Sequence, residues 1–152
     1  MVGCKSIRCD IFVYVTLYYV VLISGLDTKK FLQGLCTNDI NKLSDKENCM
    51  PASLLTNKGR IFANTILYYI SKDSDSSPRV ILELHKDSCS EVQRYLTMYR
   101  LRSKVAIKPL PWSCNFIPGS SVSNTNNAAE IISFVDPRIV GFGTRVLQPQ
   151  GN

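Results

Sequence analysis

Residues 57–69, NKGRIFANTILYY, constrain the fold more than any other stretch of the chain. Lys58-Gly59 is a turn signal. The residues after Arg60 are almost all apolar or β-branched, which predicts a central strand covered on both faces. Counting by twos places Ile61, Ala63, Thr65, Leu67 and Tyr69 on one face and Phe62, Asn64, Ile66, Tyr68 and Ile70 on the other. Asn64 is the one amide in that run. A buried polar group without a partner costs about 1–3 kcal/mol, so Asn64 requires either a local hydrogen bond or a place on a pocket wall.

A chain of 152 residues suits one domain, or one domain and the start of another. Its net charge of +6 is compatible with contact to an anionic surface and does not by itself select one. Six cysteines occur, none as Cys-x-x-Cys, and His85 is the sole histidine. Buried thiols in a reducing compartment account for them better than a zinc or cluster site does; Cys36 and Cys89 in particular fall on apolar helix faces. Residues 11–24, IFVYVTLYYVVLIS, form the longest apolar run. It is shorter than the roughly 20 residues of a membrane-spanning helix. Its Val, Ile, Tyr and Phe content predicts a buried strand rather than a targeting segment, and no stable membrane insertion is expected.

A helix is expected from Asp27, with Asp27 as its cap and Leu26 and Phe31 spaced as a hydrophobic staple. It stops near Cys36, and residues 41–49 read as a polar connection. Residues 51–56 should pair with the opening stretch as an antiparallel hairpin. After a polar loop at 72–78, residues 79–84 return as a strand. A second helix follows, with Ser88 and Glu91 at capping-box spacing and Val92, Tyr95, Leu96 and Tyr99 on one stripe. Residues 105–108 form a short strand closed by Pro109 and Pro111. Residues 112–118 and 131–135 are further strands, separated by the low-complexity loop 119–127. The order β-α-β-β-β-α-β predicts an α+β domain, an antiparallel sheet with helices on one face, over residues 20–110. Residues 1–19 are an unassigned segment, and residues 111–152 begin a second α+β unit that stays incomplete.

Four short motifs occur in order: Phe31-Leu32-Gln33-Gly34-Leu35-Cys36-Thr37-Asn38-Asp39; Leu55-Thr56-Asn57-Lys58-Gly59-Arg60 leading to Ile66-Leu67-Tyr68-Tyr69; Tyr99-Arg100-Leu101-Arg102-Ser103-Lys104-Val105; and Asp136-Pro137-Arg138. Together they resemble the folate-binding YgfZ and glycine-cleavage T-protein superfamily, and within it the mitochondrial iron–sulfur cluster assembly factor branch. The resemblance implies α+β units and a β-barrel around a folate-sized pocket. It implies a non-enzymatic assembly factor of the mitochondrial matrix, maturing four-iron, four-sulfur proteins with an A-type scaffold partner, and tetrahydrofolate as the candidate cofactor. Three departures qualify it. The family's Lys-Gly-Cys-x-x-Gly-Gln-Glu segment has no match here, so no cluster ligand is identified. Asn64 stands where T-proteins carry an aspartate, and an amide cannot act as a carboxylate base. Gly143-Thr144-Arg145 stands where the family has Gly-Trp-Arg.

The candidate cofactor-binding residues are Asn38 and Asp39 in the loop that faces the family's pocket, Thr56 and Asn64 on the hairpin, and Arg102. For Arg100, Arg102 and Lys104 the plain reading is a solvated helix end, where cations complement the helix dipole; the functional reading is an anion contact, a folate glutamate tail or RNA. Without an aromatic stripe for base stacking, nucleic acid is disfavoured. The alternatives to an assembly factor are a folate-dependent aminomethyl transferase, which the amide at position 64 speaks against, and a folate-binding protein linked to tRNA modification. No catalytic or metal-ligating residue is assigned.

Overall fold

The computed structural model describes residues 13–14, 18–70, 77–119 and 131–150. Its first sheet is five-stranded and antiparallel throughout. In chain order the strands are β2 (Tyr18–Ser24), β3 (Cys49–Leu55), β4 (Ile61–Ile70), β5 (Arg79–His85) and β6 (Ala106–Leu110). Their spatial order is β3-β4-β5-β2-β6, so β5 lies at the centre between β4 and β2. Helices α1 (Thr28–Gln33) and α2 (Cys89–Arg100) cover one face. There Phe31, Leu32, Val92, Tyr95 and Leu96 pack on Val21, Ile23, Leu54, Leu67, Val80 and Leu82. This is the expected α+β domain with its helices on one face of an antiparallel sheet.

The opposite face is covered by a second antiparallel sheet. Its strands are β1 (Val13–Tyr14), β7 (Trp112–Pro118), β8 (Ile132–Val135) and β9 (Gly143–Pro149), in the order β1-β7-β9-β8. Val20, Ile66, Tyr68 and Ile81 of the first sheet pack there against Cys114, Phe134 and Leu147 of the second. Three layers result, with helices outside, the five-stranded sheet in the middle and the four-stranded sheet on the far side. No helix among the described residues is long and apolar enough to cross a membrane.

Several local expectations change in detail. The apolar run at 11–24 serves both sheets: Val13–Tyr14 pairs with β7, and Tyr18–Ser24 pairs with β5 and β6. Its remaining residues, the loop at 71–76 and most of the low-complexity loop lie outside the described residues. Strand β6 continues through Pro109 instead of ending there. It is an edge strand, where a residue without an N–H is tolerated. Strand β9 lies beyond the strands expected from the sequence, and it sits between β7 and β8.

Neither expected helix cap forms. Asp27 makes no cap bond; its Oδ2 accepts from the Lys104 backbone N–H at 2.7 Å. Leu26 is exposed and makes no staple. Ser88 makes no cap bond either, because a 3-10 turn at Lys86–Ser88 leads into α2. In β4, Leu54 pairs with Ala63 and Leu55 with Ile61, so the ladder skips Phe62. That irregularity breaks the count by twos and lets Phe62 join the helix-side core, its ring 5.0 Å from that of Tyr95.

Candidate functional site

Glu83 is the single acidic residue within β5, otherwise Arg-Val-Ile-Leu before it and Leu-His after. Pleating turns Val80, Leu82 and Leu84 toward the helices and Ile81 toward the second sheet, and Glu83 follows Ile81. The carboxylate is therefore buried between two sheets, where a charge persists only with a partner. Arg145, buried on β9, supplies it: Nη1 donates to Glu83 Oε1. The Tyr68 hydroxyl donates to Oε2, and the Cys114 thiol lies 3.2 Å from the same oxygen.

The pair extends into a four-charge network. Arg145 Nε donates to Asp136 Oδ2 at 2.8 Å. Arg138 grips the same carboxylate with two side-chain bonds, Nε to Oδ1 at 2.9 Å and Nη2 to Oδ2 at 2.7 Å, and its backbone N–H adds a third at 3.0 Å. Two carboxylates and two guanidinium groups thus balance. The Arg145 guanidinium also faces the rings of Tyr18 and Phe116, at 5.7 and 5.8 Å.

These contacts set the protonation of the site. Burial alone would raise the Asp136 carboxyl, but hydrogen bonds from Arg138 and Arg145 outweigh it and hold the group down at about 2. Burial, reinforced by Glu83, pushes the Cys114 thiol and the Tyr68 hydroxyl well above their ordinary values. Burial likewise raises Cys36, to about 12. Neither Cys114 nor Cys36 is an activated thiolate.

Beside the network a cavity of about 430 Å³ opens at the end of the inter-sheet layer. Ser53, Asn64 and Glu83 line it from the first sheet, Arg145 from β9 and Arg138 from the loop between β8 and β9, and Ala52 and Ile66 give it apolar surface. Asn64 both has a partner and lines the cavity: the Ser53 hydroxyl, directly across the β3–β4 ladder, donates to its Oδ1 at 2.7 Å. Volume and mixed lining fall within the range of small-molecule sites, about 300–1,000 Å³. Glu83, with both oxygens engaged, anchors the wall and is poorly placed to take a substrate proton.

Of the candidate residues from the sequence, Asn64 alone lines this cavity. Asn38 is nearby, but its amide is used locally: Nδ2 donates to the Pro51 carbonyl at 3.0 Å, and Oδ1 accepts from the Asp39 N–H at 2.8 Å. Its neighbour Thr37 reaches the lining instead. Asp39 Oδ1 accepts from the Asn41 backbone and side chain, fixing the 3-10 turn at Ile40–Lys42. Thr56 closes the β3–β4 turn, accepting from the Arg60 N–H through Oγ1. Arg102 stands just past α2, lining two other cavities.

Glu83 and Arg145 escaped the sequence reading as site residues. An acid inside the apolar run of β5 was the signal for Glu83, the same kind that singled out Asn64. Arg145 is visible in the sequence only as the last residue of Gly143-Thr144-Arg145; its pairing with Glu83, 62 residues away, has no local signal.

The layered fold is that of an aminomethyltransferase-type domain. The crystal structure of glycine cleavage system aminomethyltransferase T from Bartonella henselae superposes with a TM-score of 0.70 at 12% identity, covering 87% of this chain and 40% of that one. Curated relatives narrow the likeness to one branch. The chain is 29% identical over 134 residues to a protein of Mycosarcoma maydis named iron-sulfur cluster assembly factor IBA57 homolog, mitochondrial, covering 83% of this chain and 33% of the relative. It is 30% identical over 141 residues to the human iron-sulfur cluster assembly factor IBA57, mitochondrial (82% and 39% covered), and 27% identical over 142 residues to its mouse counterpart (84% and 40%). The resemblance carried by the four sequence motifs is therefore borne out. The chain spans about a third to two-fifths of the length of these relatives. No family model matches it.

Proposed function

We propose that the chain acts as a non-enzymatic assembly factor in the maturation of mitochondrial four-iron, four-sulfur proteins, in the matrix and with an A-type scaffold protein as partner. The names of the relatives support this reading, and one structural observation carries it: the polar groups of the inter-sheet cavity are engaged with one another. Asn64 is an amide held by Ser53, and the Glu83 carboxylate is bound by Arg145 and Tyr68. A cavity walled in this way can hold a ligand but offers no poised base for aminomethyl transfer.

Tetrahydrofolate is the candidate ligand, and the lining fits it in kind. The Asn64 amide combines donor and acceptor character for a pterin edge, Ala52 and Ile66 give the ring apolar contact, and Arg138 at the rim offers a cation to an anionic tail. Depleting the protein from cells and measuring aconitase activity and lipoylation tests the assembly role. Both should fall, and normal values in depleted cells would sink the reading.

A further inference from the structure

On the helix side of the molecule, away from the inter-sheet cavity, α2 ends in a turn whose sequence and conformation disagree. Arg100, Leu101, Arg102 and Ser103 form a β-turn closed by the Ser103 N–H to the Arg100 carbonyl at 2.8 Å. Leu101 has φ 42° and ψ −114°. These are the angles of the first central position of a type II′ turn, where glycine is the favoured residue. Leu101 is nevertheless a leucine and 84% exposed. Packing among the described residues accounts for neither the strained backbone nor the apolar side chain in water.

The surroundings are built. The segment after the turn is pinned by Asp27, which accepts the Lys104 N–H, and by Gly25, whose backbone it touches so closely that a Cβ there would stand 2.2 Å from the Lys104 carbonyl oxygen. Beneath Leu101 lies a groove of about 820 Å³ between α1 and the end of α2, with Phe31, Leu35 and Tyr99 among its lining residues. Lys30 and Arg102 stand at its rim. A neighbouring cavity shares Leu101 and Arg102 and adds Arg79, Arg100 and Lys104. Among the described residues, the one acidic residue in either lining is Asp27, already bonded to Lys104.

We propose that the Leu101 turn and the groove beside it form a docking surface for a partner-protein segment in which apolar side chains are flanked by aspartate or glutamate. The apolar floor and projecting Leu101 supply the anchor, and the surrounding cations select acidic flanks. A bare polyanion would leave Leu101 and the floor without a role, which is why a protein segment is favoured over RNA.

Fluorescence anisotropy with labelled synthetic peptides tests this on the whole chain. A helical Leu/Glu peptide should bind at least about tenfold more tightly than a Leu/Lys or a Ser/Glu peptide of the same length. Leu101→Gly should weaken that binding by about fivefold or more while the melting temperature stays the same or rises, since glycine accepts the turn. Arg100→Gln with Arg102→Gln should weaken it without loss of fold. Absent Leu/Glu binding, an unchanged affinity in Leu101→Gly, or equal binding of the Ser/Glu peptide or of an oligouridylate would overturn the proposal; the last two would define a plain polyanion site.

Discussion

Arg145 on β9 and Glu83 on β5 meet across the layer between the two sheets, and their ion pair ties one sheet to the other. Both side chains are almost fully buried, 5% and 2% exposed, so either charge left alone would be stranded in a low-dielectric layer. Arg145→Leu or Glu83→Leu should each cost about 3–5 kcal/mol in denaturant unfolding. The double variant should cost clearly less than the two together, because it strands no charge at that contact. Additive losses would show that the two residues act independently.

Asp136 makes stability acid-sensitive. Its folded-state value of about 2 lies below the ordinary aspartate value of about 3.9. A group depressed on folding stabilises the native state above its unfolded value, and that contribution is lost as pH falls through the folded one. Unfolding free energy should therefore drop by about 2–3 kcal/mol between roughly pH 5 and pH 2 on account of this residue. In Asp136→Asn that part of the slope should vanish, leaving a lower stability at pH 7.

How far the sequence reveals this molecule depends on the range of the interactions. Strands β4 and β5, the stripe of α2 and the order of the elements along residues 20–110 follow from local periodicity, because each buries one face or two along its length. The features that fail locally are tertiary. Asp27 has the right place for a helix cap, yet the Lys104 N–H, 77 residues on, claims its carboxylate. Phe62 leaves its expected face because the ladder skips it. Asn64 could be singled out as the amide needing a partner, but that the partner is Ser53 becomes visible only with the β3–β4 register. Asp136-Pro137-Arg138 was legible as a motif, while its joining to Glu83 through Arg145 required the packing of two sheets.

Asn64 offers a separation of binding from stability. It lies at the exposed end of β4 and its side chain bonds a partly exposed serine, so Asn64→Leu should change stability by less than about 1 kcal/mol. If the cavity holds tetrahydrofolate through this amide, losing one hydrogen bond should weaken binding by about three- to tenfold in a calorimetric titration. Unchanged affinity together with unchanged stability would remove Asn64 from any site.

Gly25 and Leu101 both have positive φ, at 135° and 42°, and substitutions there should move stability in opposite directions. Gly25 already has the residue its backbone needs. An added Cβ would meet the Lys104 carbonyl oxygen at 2.2 Å and Val105 Cα at 3.0 Å, both backbone atoms that cannot rotate away. Gly25→Ala should therefore destabilise by about 2–4 kcal/mol, from the clash and the unfavourable φ together. Leu101 is the reverse case, a branched side chain where glycine is preferred, with its side chain in solvent. Leu101→Gly relieves the backbone strain and removes little packing, although a more flexible unfolded chain offsets part of the gain. A net stabilisation of up to about 1 kcal/mol is expected. Thermal melts of both variants check the pair: a Leu101→Gly chain that melts well below the parent would mean that Leu101 packs in the fold, and its exposure would then need no partner to explain it.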